Sequence, residues 1–279
     1  MTASAKLAGR QVRFTNKAFW RNPASAFFTF VFPLMFLVIF TSLLGNGDIV
    51  VKRILLPGGK IFNVTLPLAT YFVSAMATFG VISATFTNIA MTVTFQRDQG
   101  ILKRVRGTPL PSWAYLFGRV VHALFVASIL VTITLIFGRL FYSASIPTGA
   151  PLLEFILTLV VGALSFSALA LALTSIIPNA DAAPPMVNAI VLPLLFLSGI
   201  FIPLGATAPQ WIKTVSGIFP VRHFADAMRS TYLGNTALKS PLGVIRPYHI
   251  AWGDLLIIAA WGLVGLVLAV RKFSWEPRK

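Results

Sequence analysis

The chain has 279 residues, of which 57% are hydrophobic and 11% charged, and its mean hydropathy is +0.83. A soluble domain carries about 25% charged residues, so this composition excludes a water-facing surface all round and predicts an all-α polytopic membrane protein. Twenty-three Lys and Arg against 7 Asp and Glu give a net charge of +16, and the lack of cysteine excludes disulfides, thiol nucleophiles and cysteine metal sites. The basic residues gather between apolar runs, so anionic lipid headgroups, not nucleic acid, are the expected counter-charge. His122, His223 and His249 are too scattered for ligand spacing, and no catalytic metal is implied. No long polar block appears, so no sizeable soluble domain is expected.

Residues 1–22 carry Lys6, Arg10, Arg13, Lys17 and Arg21 at spacings of four, three, four and four. At about 100° per residue these fall on one narrow helical face, with Val12 and Phe19 roughly opposite. That pattern predicts an amphipathic helix lying on an anionic membrane surface. The first apolar run follows this basic segment and is long enough to span, so it reads as an uncleaved anchor rather than a signal peptide.

Six spans are expected, at about 24–44, 65–92, 116–142, 151–177, 184–203 and 251–270, since a crossing helix needs about 20 apolar residues. The segments 1–22, 95–113, 178–183 and 271–279 hold 13 Lys and Arg, against 8 in the intervening loops 45–63, 143–150 and 204–250. This bias places both termini in the cytoplasm, making residues 271–279 a cytoplasmic tail.

The second span carries Ser74, Thr78, Thr85, Asn88 and Thr92 on one face. Such a stripe serves helix packing, where small and hydroxyl side chains allow close approach; lining a polar translocation path is the other reading. Between the second and third spans lies FQRDQGILKRVRGTPLPSW (residues 95–113), a basic elbow holding Arg97, Lys103, Arg104 and Arg106 against Asp98. Gly107 is suited to end a short helix in a left-handed conformation. Pro109 and Pro111 forbid continuation, and Ser112 is placed to cap the next helix. An elbow like this is a handle for a soluble partner.

Leu197–Pro203 breaks the fifth span, and Trp211–Ile218 is apolar but too short to cross. Pro220–Leu233 reads as an amphipathic helix whose Asp226 pairs with Arg222 or Arg229, so residues 204–234 suit a re-entrant cap or exit gate. Glu154 and Asp254 sit near span ends, within reach of the interface. No carboxylate occupies a span centre, which disfavours an ion-driven carrier. His122 reads as a lone histidine with a satisfied hydrogen bond. No phosphate loop, HExxH or GxSxG is present, so any ATPase belongs to another chain.

Arg97-Asp98-x-Gly100-x-Leu102-x-Arg104, Thr108-Pro109, Trp113 and Gly118 resemble the signature of the ABC type-2 transport permeases. Leu197-Ser198-Gly199-x-Phe201-x-Pro203, then Pro220 and Asp226-Ala227-x-Arg229, are similar to the last third of the same family. The drug-exporter branch is the nearer one. The chain departs from the usual pattern at Asp98, Ile101 and Lys103. The resemblance covers essentially the whole chain. It implies a connecting helix over 1–22 and an ATPase-coupling helix over 96–106, with Arg97, Asp98, Gly100, Leu102, Lys103, Arg104, Arg106, Thr108 and Pro109 in the coupling region. Residues 204–234 would form an extracellular gate involving Phe201, Pro203, Pro220, Arg222, Asp226 and Arg229. It further implies a second permease chain, identical or sibling, and two ATPase subunits that bind ATP and magnesium, with no cofactor on this chain. An amphipathic substrate would leave by ATP-driven export. An ATP-independent carrier and a membrane scaffold are the rival readings.

Overall fold

Apolar runs without charge become long helices, because in lipid every backbone N–H and C=O must be satisfied within the protein. The computed structural model describes residues 3–44, 47–55, 61–204, 208–233, 238–240, 243–245 and 250–276. In chain order its helices are α1 (Ala3–Trp20), α2 (Pro23–Leu44), α3 (Leu68–Ile82), α4 (Asn88–Asp98), α5 (Ile101–Arg106), α6 (Ser112–Tyr142), α7 (Ala150–Thr174), α8 (Ala183–Leu197), α9 (Gln210–Ser216), α10 (Pro220–Ser230) and α11 (Trp252–Lys272). A π-helical bulge at Ser83–Thr87 joins α3 to α4, making one helical rod from Leu68 to Asp98.

Among the described residues, five helices are long and apolar enough to cross a membrane: Ala26–Leu44, Leu68–Asp98, Ser112–Tyr142, Ala150–Thr174 and Trp252–Lys272. The segment expected to span at 184–203 is helical only over Ala183–Leu197, about 22 Å at 1.5 Å per residue. It stops because Gly199 takes a left-handed φ of 76°, which ends a helix. The described residues are mostly helical, as the all-α expectation has it, with two short hairpins beside the helices. The loop expected at 45–63 contains β1 (Asp48–Leu55), paired antiparallel with β2 (Ile61–Pro67) in a register running from Asp48↔Pro67 to Leu55↔Ile61. A second short pair joins β3 (Leu238–Ser240) to β4 (Gly243–Ile245).

The rod of α3 and α4 is the axis of the bundle, buried along most of its length, while α2 and α11 lie at the periphery. α11 seats against α7 through small residues. A methyl group added at Gly262 would come within 2.4 Å of Ser165 Oγ, and one at Gly265 within 2.8 Å of the Leu169 nitrogen. Such backbone approach, rather than hydrophobic exclusion, is what binds helices in lipid.

α1 lies along the start of α6. Ala8, Thr15 and Phe19 are buried, while Lys6, Arg10, Arg13, Lys17 and Arg21 are all exposed. The period seen in the sequence therefore matches the two faces of this helix. The His122 ring packs edge-on against Phe19 with centroids 5.3 Å apart. Its Nδ1 has no hydrogen-bond partner among the described residues, so the expected satisfied histidine is corrected to an aromatic packing contact. α1, α5, the ends of α4, α7 and α11, and the starts of α6 and α8 share one end of the bundle, the basic end. The β1–β2 hairpin and the C-terminal turn of α10 sit at the other.

Candidate functional site

At the basic end, helical periodicity sets which side chains of α4 face inward. Ile89, Ala90, Val93, Thr94 and Arg97 form its buried face, the i, i+3/i+4 spacing of a packed stripe. Arg97 is thus carried into the bundle, and its residue is only 1% exposed. Its Nη1 donates to the Thr174 carbonyl at 2.6 Å, and its Nη2 donates to those of Ile177 at 2.6 Å and Pro178 at 3.3 Å. These carbonyls cluster at the C-terminal end of α7, where helix carbonyls lack intrahelical donors and the dipole is negative. A guanidinium, with donors in a planar fork, fits such a cluster. Asp98 next to it accepts the Ala180 N–H at 3.2 Å. Two consecutive side chains therefore grip the turn between α7 and α8.

Gly100 then turns the chain with φ 71°, a conformation that penalises any residue with a Cβ. The short α5 follows, anchored inward by the fully buried Leu102. Lys103, Arg104, Arg106, Thr108 and Pro109 are exposed. Thr108 stiffens the exit by donating from Oγ1 to the Val105 carbonyl at 2.7 Å. Arg106 lies 3.9 Å from Glu276, with both side chains well exposed. Behind α5, Gln96 Oε1 accepts from the Tyr115 hydroxyl at 2.6 Å and from Arg119, and the Arg119 guanidinium sits 5.3 Å from the Tyr115 ring centre.

Three expectations for this region are corrected. Helix 96–106 is two pieces, because residues 96–98 end α4 and α5 begins only at Ile101. Gly107 has φ −77°; the left-handed residue is Gly100. Ser112 is the first residue of α6, preceded by Pro111, and no side chain caps that helix. The nine residues read as one coupling patch divide in two: Arg97, Asp98, Gly100 and Leu102 build an inner clamp, and the rest form a basic knuckle over it. The backbone groups of Thr174, Ile177, Pro178 and Ala180 that receive the clamp carry no side-chain signature.

At the opposite end, α10 enters beside the middle of α7. The Phe224 ring lies 5.3 Å from Phe166, and a methyl group at Gly162 would meet it at 2.3 Å. The Trp261 indole N–H donates to the Ile218 carbonyl at 3.0 Å, and its ring stacks on Phe219. Pro220 opens α10 and is buried, its missing N–H costing nothing there. Charges in this region are paired locally. Asp226 accepts from Arg229 at 2.8 Å and Arg222 at 3.4 Å. Arg222 also donates to Ser216 Oγ at 2.6 Å, and Arg229 lies 4.7 Å from the centre of the Tyr71 ring. The Tyr71 hydroxyl donates to the Gly199 carbonyl. His223 Nδ1 and Asp254 Oδ1 are 2.6 Å apart, tying α10 to α11.

Tyr71, Arg222, Asp226, Arg229 and Asp254 line a cavity of about 280 Å³, together with Pro203. Phe201 stands apart from it, buried among Phe36, Phe79 and Phe196 at centroid distances of 5.6, 5.4 and 5.1 Å. The sequence placed Glu154 within reach of the interface, yet it is buried, its Oε1 accepting the Ala251 N–H at 2.8 Å. Residues 205–207 and 234 of the expected outer segment lie outside the described residues.

The hydroxyl stripe is satisfied within its own helix. Ser74 donates to the Tyr71 carbonyl, Thr78 to that of Ser74, Thr85 to that of Val81, and Thr92 to the Asn88 side chain. None of the five lines either of the two cavities at α10. The second of these, about 350 Å³, is apolar. It runs between α7, α8 and α11 below the start of α10, past Phe86 of the π bulge, to Lys272.

A rod buried along most of its length, peripheral apolar helices and a basic knuckle at one end define a multi-pass α-helical membrane protein of the transport-permease class. The ABC-2 type transporter profile matches residues 11–233, and the chain belongs to that family. It is 28% identical over 200 residues to the "Probable multidrug ABC transporter permease YbhR" of Escherichia coli K12, covering 72% of this chain and 51% of that protein. It is also 24% identical over 236 residues to the "Putative transport permease ycf38" of Porphyra purpurea, covering 85% and 76%. The chain thus spans about half the length of the YbhR proteins it matches.

Proposed function

We propose that this chain is the membrane-embedded permease subunit of an ATP-driven exporter. ATP and magnesium are held by two separate ATPase subunits, and a second permease chain, identical or sibling, completes the assembly. The basic end faces the cytoplasm, in line with the Lys and Arg bias, so both termini are cytoplasmic. α8 serves as a short sixth span, and α9 with α10 re-enters the membrane from outside as the exit gate. The cargo is an amphipathic molecule drawn from the cytoplasm or the leaflet at the basic end, a drug-like compound, a lipid or a lipid-linked glycan. α1 lies on that surface as the connecting helix.

The observation that carries this reading is the knuckle mounted on a clamp. Exposed Lys103, Arg104 and Arg106 offer positive charge to an acidic rim on a partner. Directly beneath, Arg97 and Asp98 hold the α7–α8 turn. A push on α5 passes through the Gly100 turn to the end of α4, and from there reaches the α7–α8 turn through the Arg97 and Asp98 hydrogen bonds, the kind of linkage a rigid-body mechanism needs. ATP-driven closure of the ATPase pair then moves the spans that flank the apolar cavity.

Affinity purification of the tagged chain from its native membrane in mild detergent, with partners identified by mass spectrometry, tests the proposal. Comparable amounts of an ATP-binding subunit are expected, and a sibling permease in the eluate would identify the second chain. A stable protein recovered without any ATPase would favour the carrier or scaffold reading instead.

A further inference from the structure

The cavity between α7, α8 and α11 has a shape that the export reading alone does not explain. Its roof is the turn before α10, fixed by the Trp261–Ile218 hydrogen bond and the Phe219 stack. Its floor is the basic end of α11, where Lys272 is exposed. From Trp261 to Lys272 the helix rises about 16 Å, half the hydrocarbon thickness of a bilayer of about 30 Å. Apart from Ser175 and the lysine, the lining is hydrocarbon or aromatic. The groove is open sideways, because Ile176, Ile190 and Leu268 along its margins are exposed.

We infer that this groove is a loading site for an anionic lipid of the leaflet at the basic end, its acyl chain beneath the α10 roof and its headgroup on Lys272. This rests on the exporter reading and narrows its cargo to an anionic lipid. The roof stops a chain at mid-membrane, which matches a molecule that occupies one leaflet. Among the described residues, the charge in the lining is the positive one of Lys272, at the headgroup level, where a lysine favours anionic over zwitterionic lipid by roughly fivefold. The π bulge places Phe86 on the wall, and such bulges are common at functional sites. On this reading lipid enters between α8 and α11 and advances when the α7–α8 turn is moved by the clamp.

The test uses the purified chain in lipid nanodiscs, reading quenching of Trp261 by lipids with brominated acyl chains, with Trp261→Phe subtracting the other tryptophans. Brominated phosphatidylglycerol should quench Trp261 at roughly one fifth of the concentration needed with brominated phosphatidylcholine. Lys272→Gln should erase that preference. Ala172→Phe, which fills the groove without altering charge, should lower quenching by both lipids. Equal quenching by the two lipids in the unaltered chain, or undiminished quenching in Ala172→Phe, overturns the site. A second arm adds the ATPase subunits and measures hydrolysis. Phosphatidylglycerol should stimulate hydrolysis by the unaltered complex and not by Lys272→Gln. Preferential quenching without stimulation overturns the cargo role while leaving a lipid site. Because the first arm needs no ATPase, failure to recover an ATPase and failure of the groove are separate results.

Discussion

The two ends of the bundle use charge in opposite ways. At the end formed by α9 and α10, Asp226 pairs with both Arg222 and Arg229 beside a cavity, and His223 meets Asp254. At the basic end Arg97 is turned inward, and Lys103, Arg104 and Arg106 are exposed. A charge paired inside its own helix fixes shape and offers little to a partner. A charge held out on a short helix with a buried anchor adds little to stability and much to recognition. The comparison separates residues that should alter association from residues that should alter folding.

The largest expected effect breaks the basic end alone. Arg104→Glu combined with Arg106→Glu should weaken recovery of the ATPase subunit by about 100-fold, since like charges across an interface cost several kcal/mol. Melting of the permease should move little, because both side chains are exposed. A loss of stability matching the loss of association would mean that these residues belong to the fold.

Arg97→Ala removes the donors serving the Thr174, Ile177 and Pro178 carbonyls and should destabilise the chain by about 3 kcal/mol, read by detergent-solubilised melting. Its consequence should fall on the α7–α8 turn, visible as faster amide exchange at 177–182. At the opposite end, Gly162→Val forces the wall of α7 into the Phe224 ring, and overpacking of this kind costs about 2 kcal/mol. That variant should retain ATPase recovery, sharpening the contrast between the ends. The smallest effect belongs to Glu276→Gln. Its pair with Arg106 is 3.9 Å long and exposed on both sides, so stability should change by less than about 0.5 kcal/mol.

Much of this arrangement was legible in the sequence. The stripe from Lys6 to Arg21 identified α1 and its exposed face, because a helical period needs no tertiary information. The charge and proline pattern of 95–113 located the elbow, and the local pairing of Asp226 with Arg222 and Arg229 was foreseen. The division of the elbow was not read, although Ala90, Val93, Thr94 and Arg97 already carry the spacing of one buried face. The counterparts of Arg97 are backbone carbonyls, which any sequence possesses, so the clamp has no complementary residues to find. The β1–β2 hairpin was missed for a different reason. Its strands flank a Pro-Gly-Gly turn signal in the sequence, which marks a hairpin only together with the strand pattern on either side. The packing of Gly262 and Gly265 on α7 depends on which helices become neighbours, and a single sequence does not show that.

The central claim is that the knuckle binds while the clamp transmits. One preparation measures it most directly: Arg97→Lys, which keeps the charge but loses the forked geometry, copurified with its ATPase subunits and assayed for cargo-stimulated hydrolysis. The account predicts ATPase recovery within about twofold of the unaltered chain and stimulation reduced at least about tenfold, a difference of about 1.4 kcal/mol. Stimulation that survives unchanged, or ATPase recovery that falls in step with it, would contradict the division between knuckle and clamp.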